Sequence, residues 1–375
     1  MKPTGRTSLC LVGIAALAAC SVAAQAQALE QFYKNKTVTM IVGARPGGGN
    51  DAYARLLSHY MGRHIPGKPR ISIKYMPGAG SRIAANMLYV RAPKDGSVFG
   101  AVTRVVAVDP LISTRKKGPK AQFDAQKFNW VGSLNKSTNL IIGWHDAPVK
   151  TFDDIFKNEM IVAAAGAGTD GIVYPKLINR LMGGKLKIVA GYPGSSTMML
   201  AMERKEVHGR GGVPWSTIKA QHLDWLKQKK INILVQLTRE RDKELPDVPM
   251  LLERVNDPQH RAVFELLFAR QEMGRPYVAP PGLPADRAKA LKDAFMATTK
   301  DADFLKDAGK RRLILNVISG DEVAAIVDKA YATPKDTIAL IKSILGDRSG
   351  IAKCAEFTAA EKCKRKKRKK KKKKS

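Results

Sequence analysis

Ala44-Arg45-Pro46-Gly47-Gly48-Gly49-Asn50-Asp51 stands between an apolar run (Val38, Met40, Ile41, Val42) and a stretch of helical periodicity. Glycines at such a junction let a backbone approach a ligand closely, and the free N–H groups at a helix start attract anions. The chemistry on offer is anion binding, of a nucleotide phosphate or of a carboxylate. No Gly-Lys-Ser/Thr follows, so this is not a Walker loop, and the spacing is not Gly-x-Gly-x-x-Gly either. A tight turn without a ligand is the plain alternative. Asp51 fits the helix start, where Arg55, four residues on, is placed to pair with it.

Three further turns have the same character: Met76-Pro77-Gly78-Ala79-Gly80, Gly166-Ala167-Gly168-Thr169-Asp170 and Gly191-Tyr192-Pro193-Gly194-Ser195-Ser196. Each follows an apolar run and precedes a helical pattern. In an open α/β sheet such turns gather at the carboxyl edge of the strands, where ligands bind. Their backbone N–H groups, small hydroxyls and helix dipoles suit a carboxylate. An enzyme would need more. No Gly-x-Ser-x-Gly elbow occurs, the six histidines are scattered, and His59 and His64, five apart, do not share a helix face for a metal. No catalytic residue, metal site or cofactor is expected.

The elements that must position these turns alternate in type. Strand patterns fall at 37–44, 71–76, 97–103, 139–144, 160–165, 186–191 and 231–237. Helical patterns fall at 51–64, 82–91, 152–157, 170–182, 196–205 and 216–228. That alternation is the α/β signature. After about 248 the character turns helical, with patterns at 284–300, 321–331 and 336–345. From Gly346 the periodicity fades into a lysine run, read as a disordered basic tail over 346–375. A length of 375 residues suggests two domains.

Lys2 and Arg6 followed by the apolar stretch Leu9 to Ala19 have the form of a secretion leader over 1–28. Ala24-Gln25-Ala26 and Ala26-Gln27-Ala28 are cleavage sites giving a free protein. Leu17-Ala18-Ala19-Cys20 resembles a lipobox that would leave Cys20 lipid-anchored. Either outcome places the chain outside the cytoplasm, where nucleotides are scarce, and this favours the carboxylate. Cys354 and Cys363 could pair in an oxidising compartment. Twelve charges of the net +32 sit in 362–374, and the body keeps a basic excess besides. That field concentrates anions. The tail could attract nucleic acid or anionic lipid without reading sequence, but the body has no aromatic basic platform, so no specific nucleic-acid partner is expected.

The motifs in order resemble the tripartite tricarboxylate transporter receptor family, the Bug or TctC-like periplasmic solute-binding proteins. The first is Met40-Ile41-Val42 with Pro46-Gly47-Gly48, Asp51 and Ala54-Arg55. Met76-Pro77-Gly78-Ala79-Gly80, Ala92-Pro93-Lys94-Asp95-Gly96, Leu245-Pro246-Asp247-Val248-Pro249 and Ala279-Pro280-Pro281-Gly282-Leu283-Pro284 follow, so that the resemblance spans 30–345. It implies a type II-like binding protein of two α/β lobes, 29–134 with 246–345 and 135–245, closing on one ligand. It implies a monomeric receptor, not an enzyme, that passes a small organic acid to one small and one large membrane permease subunit. An orphan ligand sensor for a signalling receptor is the alternative, and an extracytoplasmic hydrolase a remoter one. Carried over residue by residue, the ligand contacts are Gly47, Gly48, Asn50 and Asp51 from one lobe and Gly168, Thr169, Tyr192, Gly194 and Ser195 from the other. Departures stand out. Ala164-Ala165-Gly166-Ala167-Gly168-Thr169 has fewer hydroxyls than the family's serine-rich turn. Ala201 and His208 replace aspartates, and Arg45 replaces a small residue. A ligand unlike that of the best-known members is implied, with Arg45, Arg104 or Arg210 as sources of positive charge.

Overall fold

Val38, Met40, Ile41 and Val42 are buried in the strand β1 (Thr37–Val42), whose apolar run, interrupted only by Thr39, marks a strand covered on both faces. The computed structural model describes residues 27–114, 118, 120–166, 168–347 and 349–357. The leader residues 1–26 with Cys20, and the lysine run with Cys363, lie outside them, as does Ala167 of the third glycine turn. Beside β1 lie β2 (Arg70–Tyr75) and β3 (Val98–Ala101), then β4 (Asn129–Ser133). The next group is β5 (Asn139–Trp144), β6 (Met160–Ala164), β7 (Leu186–Ala190), β8 (Gly209–Pro214) and β9 (Ile231–Leu237). The last strands are β10 (Pro276–Ala279), β11 (Ile318–Ser319) and β12 (Ile351–Lys353).

They form two six-stranded sheets, in the orders β11-β4-β10-β3-β1-β2 and β12-β7-β6-β8-β5-β9. Both are mixed. β1 pairs in parallel with β2 and β3, while β10 runs antiparallel between β3 and β4. In the second sheet β6 is parallel to β7 and β8, and β5 is antiparallel to β8 and β9. The edge strand β2 alternates, with Ile71 and Ile73 packed inward and Arg70, Ser72 and Lys74 outward, which suits an edge facing water.

Three helices start at the glycine turns, α1 (Gly49–Tyr60), α2 (Asp170–Met182) and α3 (Ser195–Glu203), and two more, α4 (Pro258–Ala269) and α5 (Lys335–Gly346), pack on other helices. Tyr53, Leu56, Leu57 and Tyr60 make the buried stripe of α1, the spacing its periodicity calls for. α5 packs on α2 and on α4, tying the last helices to an element of the second sheet.

The structure adds five strands that the sequence reading did not place, β4, β8, β10, β11 and β12, and three of them show why. β8 is Gly209-Arg210-Gly211-Gly212-Val213-Pro214, which carries almost no apolar pattern. Its glycines are demanded by packing, because a Cβ on Gly211 would lie 2.2 Å from Pro175 Cγ and one on Gly212 would lie 2.8 Å from Asp170 Cβ, both on α2. β10 interrupts the region read as helical, since four residues with proline first are too few for a periodicity. Ile351–Lys353, read as part of a structureless tail, pairs in parallel with β7. Among the described residues, no helix is long and apolar enough to cross a membrane.

Candidate functional site

All four glycine turns reach one cleft of about 640 Å³ between the sheets. Its wall includes Arg45, Gly48 and Asn50, the segment Pro77 to Ser81, Thr169 and Asp170, and Gly191 to Met198. The size is that of a small-molecule site.

Local geometry prepares each turn. Neither Gly48, which caps α1, nor Thr169, which caps α2, supplies a side-chain hydrogen bond to its helix, so first-turn N–H groups are left for another acceptor. Gly78, Ala79, Gly80 and Ser81 all have positive φ, at 138°, 49°, 68° and 71°. Ala79 and Ser81 in that region cost about 1 kcal/mol each. The turn is pinned by Ser81, whose hydroxyl donates to the Gly43 carbonyl at 2.9 Å and accepts from the Thr103 N–H at 3.1 Å. Ser196 on α3 reaches across the cleft and donates to the Gly47 carbonyl at 2.9 Å.

Of the residues expected from the sequence, Arg45, Gly48, Asn50, Thr169, Tyr192, Gly194 and Ser195 line the cleft. Arg45 is exposed and approaches Gly194 from the opposite side. Thr169 donates its hydroxyl to the Gly166 carbonyl at 2.7 Å. Tyr192 presents its ring only. Burial, with Glu206 and Cys354 nearby, pushes its phenol up to about 12, and its hydroxyl has no hydrogen-bond partner among the described residues.

Gly47, Asp51 and Gly168 are not among the residues that line the cleft. The Asp51 carboxylate is already taken by the Gly47 N–H at 2.8 Å, by Arg55 Nε at 3.0 Å and by the Tyr75 hydroxyl. Asp51 therefore shapes the glycine turn instead of meeting a ligand. Gly47 and Gly168, both at φ +83°, bend the chain.

Sequence reasoning missed Arg275 entirely and left Arg210 as one of three arginines. Both line the cleft, and each is only 6% exposed. Arg210 rises from β8, where Nη1 donates to Ser195 Oγ at 2.8 Å and Nη2 to the Gly212 carbonyl at 3.3 Å. Arg275 precedes β10. Its Nη1 donates to Asn50 Oδ1 at 3.2 Å, and its Nη2 to Ser216 Oγ at 3.3 Å and Thr217 Oγ1 at 3.2 Å. Among the described residues neither forms a salt bridge, and both Nε atoms are buried without an acceptor. Burial pushes each guanidinium down to about 10, which leaves both charged at neutral pH.

A third cleft arginine is matched differently. Arg104 pairs with Asp170, its Nε donating at 3.1 Å, and Arg270 Nη2 donates to the other oxygen of the same carboxylate at 2.7 Å. These cations hold the Asp170 carboxyl below the usual range against the burial that would raise it. Among the described residues no histidine lines the cleft, and its serine and threonine hydroxyls bond to backbone carbonyls or to Arg210 and Arg275. The arrangement suits an anion.

No family model matches the chain. A curated relative from Agrobacterium vitis, the UPF0065 protein in the TAR-I ttuE-ttuC' intergenic region, is 25% identical over 295 residues, spanning 74% of this chain and 75% of its own. The solved periplasmic binding protein BugD aligns with a TM-score of 0.65 at 19% identity, over 86% of this chain and 100% of its own. MatC from Rhodopseudomonas palustris, solved with bound malate, aligns at 0.61 and 21% identity, over 83% and 99%. The fold is that of the two-lobed α/β periplasmic binding proteins. Within that class the chain is similar to the Bug and TctC-like receptors, as the order of its motifs implied.

Proposed function

We propose that this protein is an extracytoplasmic receptor that captures a small organic carboxylate in the cleft between its two sheets. Delivery to a two-subunit membrane permease of the tripartite tricarboxylate type follows from the resemblance. One observation carries the reading: four glycine turns, two from each sheet, surround a cleft into which Arg210 and Arg275 bring positive charge, neither in a salt bridge with a carboxylate of the described residues. Such a cleft is complementary to an anion before the anion arrives. The malate bound to MatC, a protein of the same fold, is in keeping with it. The working division is 29–134 with 246–345 against 135–245, as the motif order suggests. The leader at 1–28 places the protein in the periplasm, free or anchored through Cys20.

A thermal-shift screen of the purified protein against carboxylic acids, their amides, ATP and NAD tests the proposal. A ligand that binds only the folded state at 100 times its Kd adds about 2.7 kcal/mol, enough for a clear rise in Tm. The expected result is stabilisation by an acid and none by its amide. Stabilisation by a nucleotide and by no acid would return the protein to the enzymes.

A further inference from the structure

One buried ion pair crosses the cleft from the first sheet to the second. Arg104 opens the short helix Arg104–Ala107 that follows β3, and Asp170 is the first residue of α2, which follows β6. Arg104 is 4% exposed and the Asp170 side chain 13%. Nε donates to Oδ2 at 3.1 Å, and Nη2 donates to the same oxygen. Arg270 holds the other oxygen from the side of α2: it is fully buried, lies over the ring of Tyr174 on that helix at 5.2 Å, and donates from Nη2 at 2.7 Å. Asp109 also acts on Arg270, while itself paired with Arg82. The turn that leads into α2 rests on this first-sheet segment, since a Cβ on Gly168 would lie 3.6 Å from Asp109 Oδ1 and from Val105 Cγ1.

The other links across the cleft are of a weaker kind. At the rim the turns touch: a Cβ on Gly48 would lie 3.8 Å from Ser195 Cβ, and one on Gly194 would lie 3.8 Å from Arg45 Cβ. Ser196 donates to the Gly47 carbonyl at 2.9 Å, but both residues are exposed, so water can take over that bond. Arg275 reaches Ser216 and Thr217 through bonds of 3.3 and 3.2 Å to neutral hydroxyls. Of these links Arg104–Asp170 is the one that joins opposite charges away from water, where such a bond is strongest.

We infer that Arg104 and Asp170 form a latch that holds the two sheets' turns together, so that the cleft opens only when this pair breaks. Arg270 is the positioning residue: it keeps the Asp170 carboxylate aimed across the cleft. It also makes the latch reversible. When the sheets part, Asp170 keeps Arg270 as its partner, and the guanidinium that is released, Arg104, meets the water that enters. No carboxylate is stranded, which is what makes breaking a buried pair so unfavourable elsewhere. Arg82 and Asp109 stay together on the first-sheet side through the movement. The inference rests on the two-lobed receptor reading above for what the latch admits, and on the contacts of the protein's own groups for the latch itself.

Hydrogen–deuterium exchange read by mass spectrometry tests this on the purified protein, dialysed free of acids, as wild type, R104Q and S196A. R104Q removes the charge that reaches across and leaves Asp170 to Arg270. Peptides covering 45–51 and 192–198 at the rim should exchange at least about tenfold faster in R104Q, the scale of a charge-assisted hydrogen bond. Peptides covering β1 and β6 should keep the wild-type rate, which separates opening of the cleft from loss of the fold. The radius of gyration from small-angle X-ray scattering should rise in R104Q alongside the exchange. S196A should speed the rim by less than about threefold, because its bond is exchanged for one to water. Rim exchange in R104Q within about twofold of wild type would overturn the inference. So would S196A matching R104Q, which would make the rim bond the latch. Acceleration of β1 and β6 together with the rim would overturn it too, by making the pair a brace of the whole fold. No acid enters this measurement, so each of these failures leaves the carboxylate reading to its own thermal-shift test.

Discussion

Replacing Asp170 by asparagine keeps the shape of the side chain and removes the carboxylate at the centre of the arginine cluster. Arg104 and Arg270 both donate to it, and its side chain is 13% exposed, so little solvent is at hand to take over. Breaking a buried pair in this way costs about 3–5 kcal/mol, because the partner charges stay behind. Arg104 and Arg270 would then lose the carboxylate they share. At roughly 2–4 °C per kcal/mol for a chain of this size, the expected fall in Tm is about 6–20 °C. Differential scanning calorimetry of the ligand-free proteins measures it. Acid titration of the wild type supplies a second reading with the same sign. The Asp170 pKa is lowered in the fold, so its stabilisation is present above the unfolded carboxylate pKa and lost as pH falls through the folded one. The acid loss of Tm should therefore be smaller in D170N. A drop of under about 2 °C at neutral pH, less than 1 kcal/mol on the same scale, would refute the reasoning, because it would mean that water or a neighbouring group already compensates the guanidiniums.

Three other expectations come from the same geometry. In G49A the new methyl lies 2.6 Å from Thr217 Oγ1 and 2.9 Å from Arg275 Nη2, so the guanidinium must move. The affinity for the preferred acid should fall at least about tenfold while stability drops by about 1–3 kcal/mol at most, read by titration and calorimetry. Y192F removes a buried hydroxyl that has no partner among the described residues, so Tm should hold or rise and acid affinity should stay within about twofold. His222, packed on Trp225 with ring centroids 4.2 Å apart, is pushed down to about 4 by burial and Arg210, so the unfolded chain takes up its proton first as pH falls. Stability should decline between about pH 6.5 and 4 by on the order of 2 kcal/mol, the ring being partly exposed, and H222F should flatten that part of the Tm profile.

What could be read along the chain was whatever is local. β1, β5 and β9 fall where apolar-rich runs place them, and α2 where its periodicity does, because burial on both faces or on one stripe writes itself into neighbouring residues. The glycine turns were legible for the same reason: strand, small residues and helix succeed one another within a dozen positions. Even the Asp51–Arg55 pair, one helical turn apart, was open to reading.

The binding chemistry was not. β8 is a strand because α2 needs glycines to pack against, and that demand comes from residues distant in sequence. Without an apolar pattern it hid Arg210. Arg275 sits at the front of a four-residue strand inside a region of helical character, and nothing near it in sequence marks it as a ligand group. Asp170 looked like an ordinary helix start. Its partners are 66 and 100 residues away. The sequence alone determined that turns suited to an anion would line an α/β sheet edge, since propensity and patterning act over one or two turns of chain. Only the tertiary structure decided which charges meet and which are left over, because a surplus of buried charge is a property of the assembled cleft and of no single segment.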